Sequence, residues 1–339
     1  ARRISLVALF AAFSLRVGAI AAGWDWVQWL TPLGWKELLE PYTADRFLLA
    51  IPMVLAVLAL AALAWRLYSR RELHGAYLRS ASRSGSRLRA AGVFSLTLRL
   101  GRRRLLGWLV GVVATAAFIG SMAGSFVTLT KKNANYSDLL SKMSGGGEAT
   151  SQIVSLFSVI VGILIVCETA NAISSLAETE KKGILDVELA SGTSRRRAVA
   201  AQAVAGAVES AILAAAGAAT LAVAVGLSLD WKHGREIAWK TVTQWPACAC
   251  LAGVGCLLYA LSRKLTAGVW ALVGWSFALS WFGKLLELPE WASKTTLLGW
   301  SFSPSDTERL PQALGLLAVG LAASAFATAA CRRRDILAS

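Results

Sequence analysis

Four polar side chains interrupt the long apolar stretches of this sequence: Arg16, Glu168, Asn171 and Glu209. An ionisable group inside a hydrophobic helix is costly to bury, so it normally faces a protein or water-filled interior. Glu168 and Asn171 are three residues apart and share a helix face, close enough to the end of their stretch to be hydrated interface residues instead. Glu209 lies deeper and could pair with Arg16. Structural pairing and a role in a transport path are both open.

A second group of residues lies in the charged segment 175–197, which joins two long apolar stretches. Its apolar residues recur at partly helical spacing and its acidic residues face elsewhere: Ile184, Leu185, Val187 and Leu189 against Asp186 and Glu188. A helix this short is marginal alone and needs a partner surface. The segment is either an ordinary surface hairpin or a docking element that transmits another protein's movement into the stretches it joins.

Catalytic, metal and nucleotide chemistry are not indicated. The five cysteines lie in or at the ends of apolar stretches, and His74 and His233 are far apart, so neither a disulfide framework nor a metal centre is predicted. No GxxxxGK[ST] motif occurs, so ATP must be bound by another polypeptide. The arginine-rich linker 67–104 lacks base-stacking aromatic residues, which argues against nucleic acid, although it could bind anionic lipid head groups. We expect no catalytic, cofactor-binding or metal-binding residue.

The elements that position these residues are helices long enough to span a membrane. Of the 339 residues, 56% are hydrophobic and 16% are charged, which excludes an ordinary soluble domain. Eight apolar stretches could each cross about 30 Å of hydrocarbon as a helix. They are 4–22, 47–66, 105–128, 151–174, 198–228, 243–262, 265–283 and 311–330.

The net charge of +15 is distributed unevenly between the segments that connect these spans. The set that includes both chain ends and the 175–197 loop carries 23 basic and six acidic residues, whereas the other set carries 11 basic and 12 acidic residues. Lys and Arg near span ends are retained in the cytoplasm during insertion. We therefore predict a multi-pass protein of the cell membrane with both ends of the chain in the cytoplasm.

The two ends of the chain contain a weak internal repeat. WLTPLGW at 29–35 precedes a span that ends in SRREL at 69–73, and WSFSP at 300–304 precedes a span that ends in RRRDI at 332–336. The first two spans would then correspond to the last two, and the six spans from 105 onward would form a complete copy. Together with Ala1 in place of methionine, this predicts the C-terminal part of a longer two-half protein.

The 175–197 loop also carries a family resemblance. It contains an acidic–Gly–acidic–LA–small–SR pattern at Glu180, Gly183, Asp186, Leu189, Ala190, Ser194 and Arg195. LTPLGW, LRLGRRRLLGW at 98–108, LPEW at 288–291 and the terminal RRRDI match in the same order. The chain resembles permease subunits of ABC exporters, in particular the actinobacterial drug and polyketide-antibiotic (tetronasin-type) exporters. Gly192 departs from the pattern, since a proline is common there.

The resemblance implies an all-α integral membrane protein with about eight transmembrane helices in two halves. Residues 1–68 would be the last two helices of a first half, 69–104 a cytoplasmic basic linker with an amphipathic entry helix, and 105–335 a complete second half. It also implies a cytoplasmic ABC-type ATPase subunit, in two copies, that binds ATP and Mg. That subunit would push the 175–197 loop at Glu180, Gly183, Ile184, Leu185, Asp186, Glu188, Leu189, Ser194 and Arg195.

We therefore expect a permease without enzymatic activity of its own, which exports an amphiphilic drug, antibiotic or lipid and contributes to antibiotic resistance. Its other partners would be membrane lipids and, if the chain is a fragment, the missing N-terminal part of the same permease. Two alternatives are a membrane-embedded enzyme acting on lipid-linked substrates and a passive scaffold for a cytoplasmic protein. An enzyme would need a cluster of His, Asp or Glu at one membrane face.

Overall fold

The structure is a computed structural model of the full chain. It describes residues 50–69, 92–132, 149–190, 192–282, 295–298 and 310–331. The chain divides into two compact units, Ala1–Arg87 and Leu88–Ser339. The described part of the first unit is helix α1, Ala50–Ser69, which is apolar on all sides and leaves Leu60 and Trp65 largely exposed. A helix without a polar face is typical of a membrane span.

The second unit is built from helices, and its described residues include no strand. Its helices are α2 Val93–Ser121, α3 Ala123–Lys132, α4 Ala149–Lys181, α5 Ile184–Ala190, α6 Arg195–Ser228, α7 Trp231–Val242, α8 Trp245–Leu261, α9 Gly268–Phe282 and α10 Leu310–Ala330. A short 3-10 helix, Lys264–Ala267, precedes α9. The predicted all-α architecture is confirmed for these residues.

Five helical segments of the second unit are long and apolar enough to cross a membrane, by length and composition. They are Val93–Ser121, Thr150–Lys181, Arg195–Ser228, Trp231–Leu261 and Leu310–Ala330. Helix α9 has 15 residues and is therefore only about 22 Å long. The predicted span 4–22 lies outside the described residues, and the predicted count of eight spans is not confirmed.

Helix α4 and helix α6 form the centre of the unit, and the other helices pack around them. Helix α2 packs against α6, while α7 and α8 pack against both central helices. Buried side chains of α4 such as Val161, Ile165 and Ile173 meet Leu213 and Leu221 of α6 in one apolar core. The central pair is therefore in the position to hold polar residues away from lipid.

Small residues allow α8 and α10 to cross closely. A Cβ on Gly253 would meet the carbonyl oxygen of Gly320, and a Cβ on Gly320 would lie 2.8 Å from the Cα of Cys250. Close backbone approach at glycine is a common way to pack helices in membranes, because dispersion contacts replace the missing hydrophobic driving force. The crossing anchors α10 on the core.

Two boundaries differ from the prediction. The helix that contains the span predicted at 105–128 already begins at Val93 and runs without a break to Ser121. It is interrupted at Met122, after which α3 begins at Ala123. The entry segment 98–108 is therefore part of α2 itself. Similarly, the span predicted at 243–262 begins at Trp245. It follows α7, a polar helix that packs on the ends of α4 and α6 that lie away from α5.

Candidate functional site

Three charged side chains from three helices meet inside the second unit. Arg104 of α2 contacts Glu209 of α6 through a close ion pair, and its Nε atom lies 3.4 Å from Oε1 of Glu168 on α4. Arg104 also donates a hydrogen bond of 3.0 Å to the hydroxyl of Ser175. We call Arg104, Glu168 and Glu209 the Arg104 centre. It connects three helices that are predicted to span the membrane.

The Arg104 centre is buried but not fully satisfied. The side chains of Glu168 and Glu209 are 0% exposed and the side chain of Arg104 is 19% exposed. Neither oxygen of Glu168 accepts a hydrogen bond from a described residue, and the same holds for Oε1 of Glu209. Two carboxylates against one guanidinium leave a formal charge of −1 where there is no bulk water to screen it. The centre therefore favours an additional positive charge.

Helix geometry places the two carboxylates of the centre at similar distances from the ends of their helices. With a rise of 1.5 Å per residue, Glu168 lies about 20 Å from Lys181 and about 28 Å from Ala149 along α4. Glu209 lies about 21 Å from Arg195 and about 28 Å from Ser228 along α6. The two carboxylates therefore lie at matching positions along α4 and α6, about 20 Å from the helix ends that flank α5.

The local sequence explains how the three side chains fit. Gly101 lies one turn before Arg104, and a Cβ there would come within 2.5 Å of Oε1 of Glu209 and 3.2 Å of Nη2 of Arg104. A glycine at this position therefore makes room for the carboxylate. The buried Cys248 on α8 interacts with Glu168 and with the side chain of Thr169.

The structure supplies Glu209 with a different cation from the one considered in the sequence. Arg16 lies outside the described residues, and Arg104 occupies the position of the paired cation. Glu168 is fully buried rather than a hydrated interface residue, whereas Asn171 is half-buried. The sequence interpretation missed Arg104 because it ended the basic linker at this residue.

A signal for Arg104 was present in the spacing of α2. Positions 104, 108, 112, 116 and 120 recur every four residues and form one helix face. Val112, Ala116 and Gly120 on this face are buried, whereas the neighbouring Arg102 and Arg103 are exposed. Arg104 is therefore the arginine of this basic run that shares the buried face of α2, and this position predicts a buried partner.

The segment 175–197 forms a short helix between two long ones. Helix α4 continues to Lys181, the chain reverses at Gly183 with φ +69°, and α5 follows from Ile184 to Ala190. The chain turns again at Gly192 with φ +86°. Both φ values are in the left-handed region, where only glycine has no steric cost. The turns at the two glycines therefore separate α5 from α4 and α6, so that α5 continues neither long helix.

The residues proposed for docking are distributed over both sides of this segment. Leu185 is buried, Ile184 is exposed, and Glu180, Leu189 and Arg195 are half-buried. The hydroxyl of Ser194 caps α6 by accepting a hydrogen bond of 3.4 Å from the backbone N–H of Arg197. Asp186 and Glu188 lie on α5, but their side chains lie outside the described part of the structure.

Helix α6 is tied to its neighbours at the same end of the unit. Nε of Arg196 donates to the carbonyl oxygen of Thr328 on α10 at 3.3 Å. The side-chain amide of Gln202 donates to the carbonyl oxygen of Ala172 on α4 at 2.6 Å. A displacement of α5 would therefore act on both long helices that carry the acidic residues of the Arg104 centre.

At the opposite end, α7 presents a polar surface next to the core. Asp230 caps α7 and accepts a 2.8 Å hydrogen bond from the backbone N–H of His233, which lowers the pKa of its carboxyl. Lys240 pairs with Glu236 at 2.8 Å and donates to Ser155 of α4 at 2.9 Å. After the end of α7, the buried side-chain amide of Gln244 donates a hydrogen bond of 2.8 Å to the hydroxyl of Ser158.

Comparison with known proteins agrees with this architecture. The family model for the C-terminal domain of the multidrug efflux system permease Rv1217c matches residues 91–332. The chain belongs to this family. The match includes every described helix of the second unit, from α2 to α10. Together with the apolar helices, membership makes the chain a multi-pass membrane protein and confirms that the resemblance to permeases was correct.

A full-length relative shows the same similarity over almost the whole chain. The chain is 25% identical over 345 aligned positions to the multidrug efflux system permease protein Rv1217c of Mycobacterium tuberculosis (strain ATCC 25618 / H37Rv). The alignment covers 99% of this chain and 62% of the relative. The chain therefore spans about three fifths of the relative's length, and its similarity extends beyond the matched domain into the first unit.

Proposed function

We propose that this chain is the membrane permease of an ATP-driven efflux system and that α5 receives the movement of a cytoplasmic ATPase. The geometry that supports the proposal is a seven-residue helix between two helices of 33 and 34 residues. Each long helix measures about 50 Å, which exceeds the hydrocarbon thickness by about 20 Å. Their ends therefore extend beyond the lipid and hold α5 outside it.

The two faces of α5 have separate roles in this proposal. Leu185 is buried and attaches α5 to its own protein, whereas Ile184 is 47% exposed and offers an apolar contact to a partner. A short helix gains most of its stability from packing, so an ATPase surface would be the natural partner for the exposed side. ATP and Mg would be bound by that subunit, in two copies per transporter, and not by this chain.

The movement would alternate the membrane helices between two arrangements. Closure of the ATPase subunits would push α5, and α5 would displace the ends of α4 and α6. The equilibrium between inward-open and outward-open states would then shift by the difference in ATPase affinity for the two states. Under this proposal both chain ends are cytoplasmic, because the connecting segments that the sequence assigns to the side of the 175–197 loop carry 23 basic and six acidic residues.

The cargo is proposed from the family and from the composition of the spans. The relative is a multidrug efflux system permease protein, and an apolar, aromatic-rich helix bundle suits an amphiphilic drug, antibiotic or lipid. The more specific resemblance to tetronasin-type antibiotic exporters is part of this proposal.

The test separates coupling from folding with two neighbouring residues. The protein would be purified with its cytoplasmic ATPase, and ATP hydrolysis would be measured with and without an amphiphilic dye. We expect Ile184→Asp to abolish dye-stimulated hydrolysis without lowering the unfolding temperature, while Leu185→Asp lowers that temperature. Exposed Lys182→Ala serves as the control. Normal stimulation in Ile184→Asp, or a purified protein without any ATPase, would contradict the proposed coupling.

A further inference from the structure

The inference concerns the unbalanced charge of the Arg104 centre. Arg104 contributes one positive charge, and Glu168 and Glu209 contribute two negative charges. We propose that this centre binds one positive charge that the chain itself does not supply. The charge can come from a proton or from the cationic group of an exported molecule, since both neutralise a buried carboxylate in the same way.

The first supporting observation is the state of Glu168. Its side chain is 0% exposed, and both of its oxygens lack a hydrogen-bond donor among the described residues. Its contact with Arg104 is an ion pair of 3.4 Å rather than a hydrogen bond, because the shorter contact of Arg104 goes to Glu209. The guanidinium thus forms its close contact with Glu209, and the oxygens of Glu168 can still accept hydrogen bonds.

The second observation is that neighbouring helices offer no further buried cation to Glu168 among the described residues. The 3-10 helix Lys264–Ala267 also contacts α4, but its Lys264 is exposed. Helix α8 carries no charged residue between Trp245 and Leu261. Helix α9 carries no charged residue between Gly268 and Phe282 and meets α4 through a 3.0 Å hydrogen bond from Trp270 to Ser174.

Other elements reach α4 too far along its axis to help. Helix α3 meets α4 at Phe157, whose ring centroid is 5.8 Å from that of Phe126. Lys240 of α7 contacts Ser155, which is 13 residues or about 20 Å from Glu168 along the helix, and is already paired with Glu236. Near the other end, Lys182 pairs with the exposed Glu178.

The position of the centre gives the bound charge a consequence. It joins α2, α4 and α6, and α4 and α6 are the two helices that α5 connects. A positive charge on Glu168 would stabilise the arrangement in which the three helices are closely packed, and its release would weaken it. If the charge comes from cargo, the centre selects lipophilic cations over neutral amphiphiles. That part rests on the proposed permease function, whereas binding itself does not.

The test measures binding to the purified full chain without ATP or transport, so it can fail independently of the proposed function. Tetraphenylphosphonium is the cationic probe in equilibrium dialysis. Infrared spectroscopy at pH 7 detects the C=O stretch of a protonated carboxylic acid. The variants are Glu168→Gln, which is isosteric, and Glu178→Gln, which removes an exposed carboxylate from the same helix as a control.

If cargo supplies the charge, we expect Glu168→Gln to weaken tetraphenylphosphonium binding at least tenfold while Glu178→Gln binds like the parent protein. If a proton supplies it, Glu168→Gln loses a protonated-acid band that Glu178→Gln retains. Equal probe binding together with an unchanged band in Glu168→Gln would overturn the proposal. If Glu168→Gln does not purify as a folded protein, Glu209→Gln replaces it, because either substitution brings the centre to zero net charge.

Discussion

The structure predicts a large loss of stability when Arg104 is replaced. Arg104→Gln would leave Glu168 and Glu209 buried together without their cation, and both are 0% exposed. Breaking a buried ion pair by removing one partner costs about 3–5 kcal/mol. Arg104 itself is only 19% exposed, so solvent screening does not reduce this value greatly. At about 2–4 °C per kcal/mol for a unit of this size, the unfolding temperature should fall by roughly 6–20 °C.

The assay is thermal unfolding in detergent followed by tryptophan fluorescence. Arg102→Gln is the matched control, because Arg102 is exposed on the same turn of α2. Restoring charge balance should rescue the protein, so the triple variant Arg104→Gln with Glu168→Gln and Glu209→Gln should recover most of the lost temperature. An Arg104→Gln protein that unfolds within about 1 °C of Arg102→Gln, or a triple variant without recovery, would refute this reading of the centre.

Two further predictions concern packing and capping. Gly320→Ala should destabilise the protein by about 1–3 kcal/mol, because its Cβ would press against the backbone of Cys250, whereas Gly315→Ala on the same helix meets nothing within 4 Å and should be neutral or stabilising. Equal unfolding temperatures of the two variants would count against the α8–α10 crossing. The pKa of Asp230 is lowered mainly by the backbone N–H of His233, so its cap is present at neutral pH and is lost as the pH falls below the ordinary carboxylate range. The protection factor of the amides at the start of α7, which divides out the intrinsic slowing of exchange in acid, should therefore fall as the pH is lowered, and Asp230→Asn, which caps without a charge, should remove that fall.

The sequence was informative where one physical rule dominates. The Ala- and Val-rich run of α6 was predicted at 198–228 and is observed at Arg195–Ser228, because a predominantly apolar run of this length has no other stable arrangement in a membrane. The short apolar spacing at 184–189 likewise indicated a helix, and α5 spans Ile184–Ala190.

Features that depend on contacts between helices were beyond the sequence. It singled out Glu168 and Glu209 as costly buried acids, but their shared partner is 64 and 105 residues away along the chain. No local pattern states which helices are neighbours. An entry helix was expected at 98–108, but not that α2 already begins at Val93, since exposed arginines such as Arg99 and Arg102 are compatible with either a cytoplasmic linker or the exposed face of a helix. Only packing of the opposite face distinguishes the two.

The most direct test of the central claim is transport in inside-out membrane vesicles that contain this protein and the ATPase that purifies with it. We predict accumulation of an amphiphilic dye that requires ATP hydrolysis and is lost in Ile184→Asp, with the altered permease still present in the membrane at normal levels. Accumulation that is independent of ATP, or that is the same in the Ile184→Asp vesicles, would contradict an ATP-driven permease coupled through α5.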